Sequence, residues 1–168
     1  MRELPISWSD TFSVGHEILD NQHKKILGIC AEIHQLAEAG AKDFSEVLFH
    51  MHEYAKAHFL TEEKVLEESG YPETEAHRAG HQAYYAAMAQ FNFSNMNGTI
   101  KPQELAEFAQ RWWMDHILHS DMKYKSHFQS RTTTTNSAAQ GGITQAQPDL
   151  NQPDHKMEHS ALLAMAAS

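Results

Sequence analysis

Histidines and carboxylates recur in this sequence at spacings that could hold a metal ion. The chain contains 13 His, as many as its Lys and Arg together. His58 and Glu62 are four residues apart, as are His77 and His81, and this spacing places two side chains on one face of a helix. Imidazole nitrogen and carboxylate oxygen are good ligands for iron and other transition metals. The candidate metal ligands are His23, His58, Glu62, His77, His81, His116 and Asp121.

The number of candidates matters more than any single pair. A lone His on an apolar helix face is usually a hydrogen-bonded core residue, and His155 and His159 repeat the spacing where no apolar stripe supports it. Burying five His and two carboxylates without partners would cost several kcal/mol for the charged groups. A bound metal removes that cost. Because Cys30 is the only cysteine, a disulfide, an iron–sulfur cluster and a Cys-rich zinc site are excluded.

Four amphipathic helices are predicted to carry these residues. On the first, Leu19, His23, Ile26 and Cys30 step by four, three and four residues, which is one stripe of a helix. Each of the other three has a similar stripe that includes a candidate ligand. The expected helices cover residues 16 to about 40, 43 or 45 to about 68, 74 to about 93, and 102 to about 128. Short connections favour an all-α, antiparallel up-down four-helix bundle.

Asp121 does not fit a regular helix. It lies five residues after His116, so at ~100° per residue it would point ~140° away from that side chain. Either the carboxylate reaches around the helix, or the helix contains an extra residue as a π-bulge, a feature that is frequent at functional sites. Our hypothesis is the bulge, and a regular hydrogen-bond ladder through residues 116 to 121 would contradict it.

The two ends of the chain differ from the helical part. Residues 1–15 predict an irregular N-terminal arm that Trp8 and Phe12 pin to the core. From residue 130 onward the composition is polar and turn-forming, with TTTTN, QGG and QPDLNQPD, and such a segment cannot bury enough apolar surface to order itself. The sequence therefore predicts a bundle over residues 1–129 and a disordered, low-complexity tail over residues 130–168, whose last residues could form a short helix on a partner.

Charge and hydropathy exclude several functions. The formal net charge is −9 and no basic run is present, which argues against binding to nucleic acid or to an anionic membrane. The N-terminus lacks the apolar segment of a signal peptide, and no stretch approaches the 18 or so apolar residues of a membrane span. We therefore expect a cytoplasmic protein.

Five short motifs occur in a recognisable order. They are DNQHK at 20–24, HFLTEE at 58–63, GYP at 70–72, HRAGH at 77–81 and WWMDHILHSD at 112–121. Together they resemble the hemerythrin family, specifically its single-domain bacterial members, over residues ~8 to ~128. Myohemerythrin, a relative in that family, is a four-helix bundle. The resemblance implies two iron ions (Fe2+/Fe3+) with an oxo or hydroxo bridge. It assigns one iron to His77, His81 and His116, the other to His23 and His58, and bridging roles to Glu62 and Asp121.

The resemblance also implies a function. With these ligands one coordination position stays open, on the iron of His23 and His58, and dioxygen binds there reversibly for storage, delivery or sensing, without catalysis. Phe59 and Trp112 are expected to form an apolar wall of the oxygen pocket. Trp113 stands where the family commonly has Leu, so it either narrows that pocket or turns outward.

Two other functions remain open at this point. Relatives on the same scaffold include di-iron redox proteins and nitric-oxide-handling proteins, and a signalling module would need a partner, for which the tail could be the docking segment. The nitrogen-rich ligand set favours a carrier, since catalytic di-iron bundles use four Glu, two of them within Glu-x-x-His pairs, and only two His. Glu63 is expected to be exposed, and His119 is expected to be solvated or at an interface, with contact to a ligand residue as the alternative.

Overall fold

The computed structural model describes residues 7–130, and within this range the protein is a bundle of four helices. A short 3-10 turn, Asp10–Phe12, precedes them. The helices are α1 (Glu17–Glu38), α2 (Ser45–Ser69), α3 (Thr74–Met96) and α4 (Pro102–Asp115), and α4 continues through a π-helical segment (His116–Asp121) into a last α-helical stretch at 122–130. The predicted all-α four-helix fold is confirmed.

The helices pack side by side in the bundle. Helix α1 lies against both α2 and α4, and α2 also lies against α3. Helix α3 continues three residues beyond its predicted end, because Ser94, Asn95 and Met96 stay helical before the turn at Asn97 and Gly98. The predicted tail falls almost entirely outside the described residues and stays a prediction. No helix within residues 7–130 is long and apolar enough to cross a membrane.

Local signals in the sequence fix where the helices end. Helix α2 stops at Gly70, whose φ of 66° is left-handed, a conformation that costs little without a Cβ. At its other end, the Asp43 carboxylate accepts hydrogen bonds from the Ser45 N–H (2.9 Å) and hydroxyl (2.6 Å). Asn95 ties the end of α3 to the same place, accepting from the Phe44 N–H at 3.0 Å and donating to Asp43.

The apolar core is split into two parts by a polar layer. On α1, Leu19 belongs to a small cluster and Ile26 to a large one, and His23 lies between them. On α2, Phe59 belongs to the large cluster and Leu66 to the small one, with Glu62 between. Apolar residues therefore seal the polar layer from both ends of the bundle, and a low-dielectric interior surrounds it.

The described part of the N-terminal arm, residues 7–15, is fixed to the bundle as predicted. Trp8 and Phe12 are partly buried and pack on the large cluster. The Asp20 carboxylate accepts hydrogen bonds from the Ser13 hydroxyl at 2.6 Å and the Val14 N–H at 2.8 Å. These contacts anchor the segment that leads into α1 beside His23.

Candidate metal centre

All seven candidate ligands converge in the interior of the bundle. Helix α1 contributes one of them, α2 two, α3 two, and the π-helical segment the last two. All are buried, with between 0% and 8% of their surface exposed. Their positions form two groups that share one carboxylate. The first is Glu62, His77, His81 and His116, and the second is His23, His58, Glu62 and Asp121.

The first group surrounds a single carboxylate oxygen. Glu62 Oε2 lies 2.9 Å from His77 Nε2, 3.0 Å from His81 Nε2 and 3.7 Å from His116 Nε2. The Nε2 atoms of His81 and His116 are 3.2 Å apart. Donor atoms about 3 Å apart are what neighbouring ligands show around an ion with bonds of about 2.1 Å. Three imidazole nitrogens and a carboxylate thus already point at one position.

The second group has the same character, and Asp121 connects the two. His23 Nε2 and His58 Nε2 are 3.2 Å apart, and Glu62 Oε2 lies 3.8 Å from His58 Nε2. Asp121 Oδ2 lies 3.2 Å from His23 Nε2, while its Oδ1 lies 3.1 Å from His116 Nε2. The carboxylate of Asp121 therefore presents one oxygen to each group, as a bridging ligand would.

The π-helical segment is what aims Asp121 inward. The Met122 N–H donates to the carbonyl of Ile117, five residues earlier, which is the bond of a π-helix. A spacing of five then brings His116 and Asp121 onto the same face, and both are buried. The bulge hypothesis is confirmed, and the alternative of a carboxylate reaching around a regular helix is wrong.

Burial keeps His23, His58 and His116 in the form that binds metals. It lowers the pKa of His23 to about 4, against the raising effect of Glu62. Burial also lowers the pKa of His58 well below its ordinary value and lowers the pKa of His116, although Glu62 opposes both shifts. Neutral imidazole offers a lone pair to a metal. These side chains are ready to bind at neutral pH without first losing a proton.

The pKa values of the two carboxylates, Glu62 and Asp121, are shifted in opposite directions. Burial alone would raise the pKa of Glu62, but His58 and the hydrogen bonds from three other imidazoles hold it well below its ordinary value. Burial raises the pKa of Asp121 well above its ordinary value, and the charge of Glu62 adds to the rise. Both oxygens of Asp121 and Nδ1 of His23 are buried without a hydrogen-bond partner. Such orphaned polar atoms are costly, and a cation between the groups would satisfy the carboxylate.

Comparison with known families agrees with this geometry. The family model described as "Hemerythrin HHE cation binding domain" matches residues 14–128. The chain belongs to the hemerythrin family. A bacteriohemerythrin of Stenotrophomonas maltophilia is 29% identical over 123 residues, covering 70% of this chain and 77% of that protein. A bacteriohemerythrin of Clostridium acetobutylicum is 27% identical over 124 residues, covering 70% and 96%. The myohemerythrin of Theromyzon tessulatum is 28% identical over 123 residues, covering 72% and 92%.

Solved hemerythrin structures share the fold. A crystal structure of wild-type hemerythrin superposes with a TM-score of 0.64 at 24% identity, over 72% of this chain and 95% of that one. A hemerythrin with one Leu replaced by Tyr gives a TM-score of 0.67 at 23% identity, over 74% and 97%. The prediction of a bacterial hemerythrin from five motifs is confirmed.

The expected pocket residues of this hemerythrin lie directly against the ligands. The Phe59 ring stacks on His81 with centroids 3.8 Å apart and also stacks on Trp113 at 5.3 Å. Trp113 is fully buried and lies 5.6 Å from His58. Trp112 stacks on His116 at 4.5 Å and also lines a groove at the surface. Of the two orientations expected for Trp113, the outward one is therefore wrong.

Of two expectations about neighbouring polar residues, the one for Glu63 was wrong and the one for His119 is confirmed, since only its alternative fails. Glu63 is not simply exposed, since its side chain is only 20% exposed and it lies 2.7 Å from His81 Nδ1. His119 does not reach the centre, because its side chain is 72% exposed and pairs with Asp115. Periodicity misplaces Glu63, since it gives the side of the helix on which a residue lies and not the partner that the neighbouring helix offers.

Sequence reasoning also missed a tyrosine. Tyr124 is fully buried, and its hydroxyl donates a hydrogen bond to Glu62 Oε1 at 2.6 Å. This bond holds the Oε1 side of the carboxylate, while Oε2 faces the imidazoles. A signal was available, because Tyr124 lies three residues after Asp121 in a helix and so follows the ligand along the inward face.

Proposed function

We propose that this protein binds dioxygen reversibly at two iron ions held in the bundle interior. The observation that carries the proposal is the pair of buried nitrogen and oxygen groups joined by Glu62, with one oxygen of Asp121 on each side. His77, His81 and His116 would hold one iron, His23 and His58 the other, and the two carboxylates would bridge them. When bound, the two ferrous ions supply the electrons that reversible dioxygen binding requires.

The unequal number of histidines determines where a ligand can enter. Three imidazoles serve the first iron and two serve the second, so the protein leaves a position free beside His23 and His58. Trp113 lies against His58 on that side, at 5.6 Å between ring centroids. Its indole N–H donates to the Tyr84 hydroxyl at 3.3 Å, so the polar atom turns away and the apolar ring faces the site. A small apolar molecule fits such a pocket better than water does.

The supporting residues suit binding more than turnover. Glu62 and Asp121 are the only carboxylates among the ligand groups of the described residues, whereas catalytic di-iron bundles use four Glu. Fewer anionic ligands stabilise highly oxidised iron less well. Phe59 and Trp113 also place aromatic rings against His81 and His58, which limits the access of water and protons to the site. We therefore assign storage, delivery or sensing of dioxygen, and no enzymatic activity.

The test is an optical titration of the iron-loaded full chain. The anaerobic protein is exposed to air and then deoxygenated, and we expect a visible charge-transfer band that appears and disappears over repeated cycles. His58→Ala removes one of two nitrogens from the open iron and should abolish the cycle. His50→Ala, an exposed His on the same helix, should behave like the wild type. A band that forms once and never reverses would instead favour the redox alternative.

A second prediction concerns the π-helical segment. Deleting His119 would reduce the spacing between His116 and Asp121 from five residues to four, and two residues four apart also face the same way in a regular α-helix. The deletion variant should therefore bind the same amount of iron as the wild type. Inserting one Ala after His119 makes the spacing six, which turns the carboxylate ~120° away from His116 in a regular helix, and should lower the iron content.

Iron per chain after loading and desalting measures this prediction. Circular dichroism of the metal-free proteins serves as the control that both variants remain helical. Equal iron content in the insertion variant and the wild type would contradict the role of the segment in aiming Asp121.

A further inference from the structure

The outer nitrogens of two ligand histidines face partners of different charge. His81 Nδ1 lies 2.7 Å from Glu63 Oε1, and because an ionised carboxylate only accepts, the imidazole donates. His58 Nδ1 lies 3.2 Å from Gln22 Oε1, the oxygen of a neutral amide. Both bonds leave the Nε2 lone pair directed inward. The first is charge-assisted and the shorter of the two, so it is the stronger.

The position of Glu63 is fixed by an ion-pair network. The Arg78 Nε–H donates to Glu63 Oε2 at 3.0 Å, and the other guanidinium nitrogens of Arg78 contact Glu67 and Glu75. Each oxygen of Glu63 therefore has its own partner, His81 on one side and Arg78 on the other. Gln22 has no ion pair of this kind, and its amide donates one neutral hydrogen bond to the Thr61 hydroxyl at 3.2 Å.

Negative charge behind a ligand histidine strengthens its bond to a metal. A carboxylate that accepts the outer N–H fixes the tautomer and raises the basicity of the inner nitrogen. A more basic nitrogen binds more tightly and favours the higher oxidation state of the metal. The group of His77, His81 and His116 has this feature through Glu63, whereas in the other group His58 has a neutral partner and His23 Nδ1 has none.

We propose that Glu63 is a positioning residue that makes the three-histidine position the tighter and more readily oxidised of the two iron positions. The inference rests on the proposed di-iron function and adds an inequality between the irons to it. Glu63 acts through His81 and does not itself touch the metal.

The test measures iron release from the ferrous full chain to a chelator, under anaerobic conditions. Glu63→Gln keeps the size of the side chain and its hydrogen bond but removes the charge. We expect two release phases in the wild type, with the slower phase about 10- to 100-fold faster in Glu63→Gln and the other phase unchanged. Glu63→Asp should restore part of the slow phase. Glu67→Gln, which alters the Arg78 network without touching His81, should leave both phases as they are.

Two further measurements separate positioning from a structural role. The reduction potential of the di-iron centre should rise in Glu63→Gln, because the oxidised iron loses a nearby negative charge, and the melting temperature of the metal-free protein should stay close to that of the wild type. Unchanged release and potential would overturn the inference alone. Equal acceleration of both phases with a lower melting temperature would also overturn it. A wild-type chain that releases fewer than two irons would overturn the proposed function and this inference together.

Discussion

The metal-free protein is expected to lose stability steeply as the pH falls from about 6.5 towards 4. His23, His58 and His116 have pKa values below the ordinary 6.5, mainly because they are buried, and His23 reaches about 4. In the unfolded chain each regains its ordinary pKa, so below pH 6.5 the unfolded state binds more protons and gains stability. At 1.36 kcal/mol per pKa unit, His23 alone would contribute a loss of about 3 kcal/mol.

The other buried groups set the limits of this effect. The raised pKa of Asp121 works in the opposite direction, because the folded state takes up that proton first as the pH falls. Glu62, whose pKa is lowered, adds to the loss near pH 4, so Asp121 alone opposes the three histidines and Glu62. Since domains of this size are stable by only about 5–15 kcal/mol, the net loss should be visible as a large drop in melting temperature. In the iron-loaded protein the imidazole lone pairs are occupied, so we expect little change between pH 7 and pH 6.

Denaturant unfolding of chelator-treated protein at pH 7, 6 and 5 measures this prediction. His23→Leu removes one buried titrating group and should flatten the dependence of the unfolding free energy on pH. His50→Gln changes an exposed His and should not. If His23→Leu and the wild type lose stability in parallel, burial of the imidazole is not the source of the acid sensitivity.

The fold could be predicted because its signals are local. Apolar spacing along α1, the Gly-Tyr-Pro after α2 and Pro102 at the start of α4 each act within a few residues, and the structure agrees with them. The candidate ligands could also be predicted, because His and carboxylate residues cluster on the apolar stripes that face the interior. Even the π-helical segment could be anticipated, since a spacing of five between two inward residues conflicts with a regular helix.

The residues around the ligands could not be predicted in the same way. Glu63 contacts His81 and Arg78, which both lie on α3. The sequence of α2, where Glu63 lies, does not indicate these contacts. Trp113 had two reasonable orientations, and Tyr84 on α3 offers the hydroxyl that fits the inward one. The candidate ligands follow from periodicity within one helix. The residues that contact those ligands depend on which neighbouring helix each one faces.

Trp113→Leu is expected to have the largest effect on dioxygen binding among changes outside the ligands. The indole fills the space between Phe59 and His58, and Leu would leave a cavity on the open side of the site. Dioxygen should enter and leave faster. Autoxidation should also accelerate, because water and protons can reach a position that the ring now excludes. The cavity and the unpaired Tyr84 hydroxyl should cost about 2–4 kcal/mol of stability.

The variant Tyr84→Phe distinguishes an effect of Trp113 on dioxygen access from an effect on the stability of the core. It removes the hydroxyl that the indole N–H contacts at 3.3 Å but leaves the Trp113 ring in place, so it should cost about 1 kcal/mol and leave the oxygen kinetics unchanged. Stopped-flow mixing with oxygenated buffer gives the association rate, and the decay of the oxygenated spectrum gives the autoxidation rate. If Trp113→Leu loses stability while both rates stay at the wild-type values, the indole serves only to pack the core, and dioxygen reaches the irons by another route. Faster association in Trp113→Leu but not in Tyr84→Phe would instead mean that the size of the Trp113 side chain controls the access of dioxygen to the position beside His58. That control would follow from Trp at a position where the family commonly has Leu.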